Sequence, residues 1–174
     1  MPKNTIHLQT YKSPVGEMIL GSYENALCIA NWEYGKTKER IEKKIAKALN
    51  AEYVNETSVV IAEAEKQLDA YFSGEKKDFD LPLLMIGTAF QRSVWESLLQ
   101  IPYGETASYI EQAERIGNKK AVRAVASANG ANAISIFIPC HRIIGSDGTL
   151  TGYAGGLDVK KKLLILEKCD RGIF

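Results

Sequence analysis

Residues 134–144 read Ile134-Ser135-Ile136-Phe137-Ile138-Pro139-Cys140-His141-Arg142-Ile143-Ile144, an apolar run that places one of three cysteines directly before one of two histidines. A stretch this rich in branched apolar residues belongs in a core, and it sets the centre of the C-terminal half of the chain. Ile134, Ile136, Phe137 and Ile138 favour β structure, and Ile138 precedes a proline, which biases it to an extended backbone. Cys140 and His141 are therefore expected on an extended segment, with side chains pointing to opposite sides. A buried thiol is inert unless something lowers its pKa, and a neighbouring imidazole is the usual means. On an extended backbone His141 would reach Cys140 through a bound water, with a carboxylate beyond the ring to hold its tautomer and stabilise its positive form. Glu167 is the candidate, because Leu163, Leu164 and Leu166 bury an expected helix over 157–168 and draw the acid inward.

The bland alternative is a core cysteine beside a satisfied histidine, with Glu167 a surface acid paired to a lysine. Three features weigh against it. Pro139 fixes the backbone before the thiol, Arg142 puts a permanent positive charge nearby, and Gly152-Tyr153-Ala154-Gly155-Gly156 supplies a flexible aromatic loop that could close over a flat ligand.

Upstream of this run, Phe90, Val94, Leu98 and Leu99 define a helix that Ile101-Pro102-Tyr103-Gly104 ends. Ser108 and Glu111 have capping-box spacing, so a helix is expected from Tyr109 to Ile116, with Gly117 breaking it and Asn118 capping the next. Two short helices across a three-residue glycine turn match the outline of a helix-turn-helix, although a buried helical hairpin shows the same apolar pattern. On the second helix Lys119, Arg123 and Ser127 fall along one line with Lys120 nearby, and Val125 and Ala128 lie opposite.

The first third reads as strands over 6–11, 16–23 and 26–32, an antiparallel meander, followed by helices marked by Ile41, Ile45 and Leu49 and by Ile61, Ala64, Leu68 and Tyr71. Residues 74–80 mix a stop signal with charges and read as a linker. The net charge of +1 hides an asymmetry. Residues 1–86 carry 11 Lys and Arg against 13 Asp and Glu, net −2, and residues 87–174 carry 11 against 8, net +3. Arg115, Lys119, Lys120, Arg123 and Arg142 follow one another with no acid between, which draws an anionic partner or is simply a solvated face. The cysteines, Cys28, Cys140 and Cys169, are odd in number and widely spaced, which fits neither a disulfide framework nor zinc spacing. With no apolar leader and no span-length apolar run, the chain reads as cytoplasmic.

Ile138-Pro139-Cys140-His141-Arg142-Ile143-Ile144 resembles the active-site signature of the O6-alkylguanine-DNA alkyltransferases. The likeness covers residues 90–168 through Ile101-Pro102-Tyr103-Gly104-Glu105-Thr106, Ala121-Val122-Arg123-Ala124-Val125 and Gly152-Tyr153-Ala154-Gly155-Gly156-Leu157, in the family's order. Residues 1–85 match more weakly, mainly through Ser13-Pro14-Val15-Gly16. The resemblance implies an α/β (α+β) fold. Residues 1–80 would form a small antiparallel sheet domain with helices, ribonuclease H-like in this family, and residues 87–174 a mainly helical domain with a helix-turn-helix and the active site. It implies repair of O6-alkylguanine in double-stranded DNA, and of O4-alkylthymine, by transfer of the alkyl group to the protein's own cysteine, once per chain.

Carried over by position, the resemblance makes Cys140 the acceptor, His141 the water-mediated base and Glu167 its partner. Asn132 ties the second helix of the pair to the active segment, and Tyr109 crowds the target phosphate and protonates the departing guanine. Arg123 is the finger that enters through the minor groove and fills the stack left by the extruded base, a role suited to a long, planar, always-charged side chain. Lys119, Lys120, Ser127 and Arg142 complete the DNA-binding set, and Ile143, Tyr153, Ala154 and Gly155 form the alkylguanine pocket. Ala154 stands where some members have serine. Binding is expected to be largely sequence-independent and salt-sensitive, by a monomer associated with the nucleoid. No cofactor is expected. Nor is a metal, because His7 and Cys28 are the only good zinc ligands in the N-terminal part and structural zinc takes four. Two rivals from other classes remain at this point, a thiol hydrolase using Cys140, His141 and Glu167, and a helix-turn-helix regulator in which Cys140 is only core.

Overall fold

The structure is a computed structural model that describes residues 4–168. The chain divides into two compact units, Met1–Ile86 and Gly87–Phe174. In the first, β1 (Asn4–Ser13), β2 (Gly16–Tyr23) and β3 (Ala26–Trp32) form the expected antiparallel meander. A short strand unmarked in the sequence, β4 (Ala51–Val54), then joins the far side of β1 in parallel, giving the order β3-β2-β1-β4. The crossover into it is α1 (Lys38–Leu49), which Asn50 ends in the left-handed conformation that asparagine tolerates. Helix α2 (Val59–Phe72), capped by Ser58, packs across β1, β2 and β3 and buries Ile61, Ala64, Leu68 and Tyr71 against the sheet.

The segment read as a linker belongs to this first unit. The Gln67 side chain clamps Asp80, donating to its carbonyl at 2.8 Å and accepting from its N–H at 2.9 Å. Beyond it, Leu27 N–H bonds Pro82 O at 2.9 Å and Leu84 N–H bonds Leu27 O at 2.8 Å, so the chain covers the open edge of β3. A polar, aperiodic composition signals absence of regular structure; it does not signal absence of anchoring.

The second unit is mainly helical. Thr88 and Gln91 form a reciprocal capping box that starts α3 (Ala89–Leu98). Ser108 caps α4 (Tyr109–Arg115) by accepting from Glu111 N–H, and Gly117, at φ +80°, ends it. The next helix, α5 (Val122–Gly130), begins later than the sequence suggests. Asn118 closes a separate turn instead of capping it, with Ala121 N–H bonded to Asn118 O at 3.1 Å, and the connection spans residues 116–121. Strand β5 (Ala107–Ser108) pairs in parallel with β6 (Ile143–Ile144), and α6 (Leu157–Leu166) closes the unit.

Candidate active site

The central run is not extended before β6. After Ile134 the backbone folds on itself through bonds from Phe137 N–H to Ser135 O and Ile138 N–H to Ile134 O, both 2.9 Å. Ile136 takes φ +73°, a conformation that a β-branched residue occupies at a cost of about 1–3 kcal/mol. Cys140–Arg142 then form one turn of 3-10 helix. Three residues per turn separates neighbouring side chains by roughly 120°. Cys140 accordingly faces Asn132, while His141 and Arg142 reach Glu167 from different directions.

Cys140 is 8 % exposed, and its Sγ accepts a hydrogen bond from Asn132 Nδ2 at 3.2 Å. The same amide nitrogen donates to Ile138 O at 2.9 Å while Asn132 Oδ1 accepts from Ile134 N–H at 3.0 Å, so Asn132 fixes both the sulfur and the backbone around it. His141 is fully buried, with Nε2 2.7 Å from Glu167 Oε2. Arg142 lies across the same carboxylate, donating from Nε to Oε1 at 2.8 Å and from its terminal nitrogen to Oε2 at 3.1 Å, and from its other terminal nitrogen to Ile101 O at 2.7 Å.

The electrostatics follow from burial and these partners. Burial pushes the Cys140 thiol up, opposed by the Asn132 hydrogen bond and the charge of Lys160. It pushes His141 below its ordinary value of 6.5, against the pull of Glu167. Burial opposes the charge on Glu167 too, but His141 and Arg142 more than offset it and hold the carboxyl well below the usual carboxylate range. Glu167 is thus an anion already balanced by a permanent guanidinium, and the imidazole beside that pair rests neutral. An ionised Glu167 requires Nε2 to carry the ring proton, which leaves Nδ1 as an acceptor with no protein hydrogen-bond partner. Cys28 provides the contrast. It lies in β3, where burial pushes its thiol up to about 12 with only a backbone hydrogen bond pulling the other way.

The family description "6-O-methylguanine DNA methyltransferase, DNA binding domain" matches residues 89–169, and "6-O-methylguanine DNA methyltransferase, ribonuclease-like domain" matches residues 6–85. A methylated-DNA–protein-cysteine methyltransferase of Methanosarcina acetivorans is 49% identical over 90% of this chain and 95% of its own length. The chain belongs to this methyltransferase family. The constitutive methylated-DNA–protein-cysteine methyltransferase of Bacillus subtilis is 42% identical over 91% of this chain and 93% of its own. The crystal structure of Mycobacterium tuberculosis OGT in complex with DNA superposes with a TM-score of 0.80 at 41% identity, covering 93% of this chain and 92% of that one.

Within this methyltransferase chain, the other residues singled out above fall into three places. Tyr153 stands edge-on to His141, ring centroids 6.5 Å apart, at the start of a turn that Gly156 N–H closes onto Tyr153 O at 3.0 Å and that carries Ala154 and Gly155, both half-buried. Ile143 is buried in β6. Tyr109 opens α4, its hydroxyl donating to Thr151 O at 3.1 Å. Arg123 and Ser127 are exposed one turn apart on α5, whereas Lys119 and Lys120, expected on that helix, are exposed on the turn before it. Arg142 departs from its expected role at the DNA surface. It is 6 % exposed and committed to Glu167 and Ile101, so it is a structural partner of the carboxylate and not a phosphate contact.

Lys160 is a site residue absent from the sequence reading. It is 0 % exposed, and its ammonium donates to Thr151 O at 2.8 Å and Gly152 O at 3.2 Å, anchoring the turn that bears Tyr153. Burial pushes its pKa down to about 8, opposed by the charge of the Cys140 thiolate. The signal was present: Lys160, Leu163, Leu164 and Glu167 share one helical face, so a lysine on the buried stripe needed an explanation. Lys160→Met should change stability by no more than about 1 kcal/mol, because relief of a buried charge offsets two lost hydrogen bonds. It should slow alkyl transfer about tenfold through the loosened turn. Thermal melts beside single-turnover rates check both halves. Among the described residues no group of three or more His, Cys, Asp or Glu could hold a metal, and no helix is long and apolar enough to cross a membrane.

Proposed function

We propose that Cys140 is the residue that accepts the alkyl group and that His141, backed by Glu167, removes its proton. The protein repairs DNA by transferring an alkyl group to one of its own cysteines. The observation that carries the assignment to Cys140 is the buried Glu167–His141 pair next to a thiol held by Asn132. His141 Nδ1 accepts the thiol proton through one water. The sulfur then attacks the carbon bonded to O6 of an extruded guanine, the S–C bond forms as the C–O bond breaks, and the electron pair leaves on the guanine, which the Tyr109 hydroxyl protonates. Glu167 stabilises the transient imidazolium. The thioether product offers water no good leaving group, so each chain reacts once. O4-alkylthymine fits the same chemistry.

The α4–turn–α5 segment is read as the helix-turn-helix, facing the minor groove of the duplex. Lys119 and Lys120 neutralise phosphates, and Arg123 fills the gap in the base stack. The small exposed side chains of Ala124 and Ala126 let the helix backbone approach the groove. Such a protein works as a monomer wherever the chromosome lies, in the cytoplasm.

With methylated duplex in excess over a known amount of protein, no more than one methyl should be transferred per chain. Continued turnover would sink the single-use reading and favour a hydrolase-like site. The pH dependence gives a second check. The reactive thiol and neutral imidazole coexist above the depressed value of His141, so the acid limb of the single-turnover rate should have its midpoint below pH 6.5 and the rate should level off above it. A rate already halved at pH 6.5 would place the base at the ordinary histidine value and contradict a buried imidazole in that role.

A further inference from the structure

Helices α4 and α5 meet through two buried amides. Gln112 Nε2 donates to Asn129 Oδ1 at 2.9 Å, and Asn129 Nδ2 donates back to Gln112 Oε1 at 2.7 Å, closing a reciprocal pair. Gln112 is fully buried and Asn129 nearly so. Alongside the pair, Trp95 Nε1 donates to Ala128 O at 2.8 Å, pinning the same end of α5 to α3. An apolar contact tolerates sliding and rotation of one helix on another, whereas two opposed amides hold their bonds only in one register.

That register matters because each amide lies on a path to the lesion. Gln112 is one turn after Tyr109 on α4, and the Tyr109 hydroxyl is bonded to Thr151 of the turn beside the site. Asn129 lies on α5 with Arg123, and its carbonyl accepts from Asn132 N–H at 3.2 Å, the residue whose side chain holds the Cys140 sulfur. The pair therefore sits where the helix bearing Arg123, the residue gripping the thiol and the helix bearing Tyr109 are locked together.

We propose that the Gln112–Asn129 pair is a positioning device that sets α5 against α4, so that Arg123 and Asn132 address the same nucleotide. The inference rests on the roles given to Cys140 and Arg123 above. Neither amide touches substrate; both act through the residues they hold.

The test uses two substrates for each protein, methylated duplex DNA and a free O6-alkylguanine base, which needs the thiol and its bond to Asn132 but no Arg123 placed in a base stack. The paired substitution Gln112→Leu with Asn129→Leu removes both amides together and leaves no buried polar group unpartnered. The ratio of the duplex rate to the free-base rate should fall about tenfold or more, with the free-base rate within about twofold of wild type. Gln112→Glu keeps the shape but sets a carboxylate oxygen against Asn129 Oδ1, and it reads the same ratio should the apolar pair fail to fold. An unchanged ratio in a folded variant, including an equal fall on both substrates, overturns the proposal, since a purely structural role would move both rates together. Wild type that reacts with both substrates beside such a variant would sink the pair's role alone. Wild type that leaves Cys140 unmodified by either would sink the reading beneath it.

Discussion

Cys140→Ala should bind methylated duplex DNA as tightly as wild type and transfer no alkyl group at all. The sulfur is nearly buried and held by Asn132, away from the exposed cations Lys119, Lys120 and Arg123 that would meet phosphates, so its loss removes the acceptor without touching the source of affinity. Asn132 keeps its bond to Ile138 O, and the small cavity left by the sulfur costs about 1 kcal/mol. Cys28→Ala, by contrast, should leave transfer unchanged, because that thiol lies in the β3 core with its pKa pushed up to about 12. Binding isotherms in parallel with transfer assays separate the two effects. Transfer surviving in Cys140→Ala would move the chemistry to another residue. DNA binding by both wild type and Cys140→Ala with no transfer by either would make the chain a regulator whose cysteine is only core.

Glu167→Gln is expected to damage both stability and chemistry. The carboxylate is shared by His141 and Arg142, and neutralising it leaves the buried Arg142 guanidinium without a counter-charge, with only a neutral amide, the Ile101 carbonyl and the Tyr103 ring beside it. Breaking one side of a buried pair costs about 3–5 kcal/mol. Transfer should slow by about 10²–10⁴-fold, since the imidazolium formed when the thiol is deprotonated loses its counter-charge and Nε2 its fixed proton. The stability loss has a definite pH signature. The folded carboxyl of Glu167 lies below its ordinary value of 4.5, so its contribution is fully present above pH 4.5 and is lost as pH falls below it. Wild type and Glu167→Gln should therefore differ most at neutral pH and converge in acid. A difference that persists undiminished well below pH 4.5 would show that the carboxylate's charge is not what holds the site together.

Much of this arrangement was legible in the residues, for reasons that can be stated. Ser108 and Glu111 announce the start of α4 because a cap is a local bond between residues three apart, and the meander over residues 4–32 follows from β-rich runs divided by turn formers. Strand β4 left no such mark, since a short strand joining an existing edge is defined by its partner β1 and not by its own pattern. The run around Cys140 misled in the same way. Ile134, Ile136 and Phe137 favour strands by propensity, yet tertiary packing folds them into consecutive tight turns with Ile136 left-handed, and Pro139 leads into a 3-10 turn instead of an extended segment. Arg142 carried a signal that was overlooked. An arginine inside an eleven-residue apolar run is buried, and a buried guanidinium requires an acid. Its demand for Glu167, and the demand of Lys160 for the carbonyls of residues 151 and 152, are what convert an apolar core into a reactive one.

The most direct measurement is the intact mass of the protein after exposure to duplex DNA bearing O6-methylguanine, followed by peptide mapping of the modified chain. Expected is a gain of one CH₂ per chain, confined to the peptide that contains Cys140. An unchanged mass, or a methyl group found on Cys28 or Cys169, would contradict the assignment of Cys140 as the acceptor.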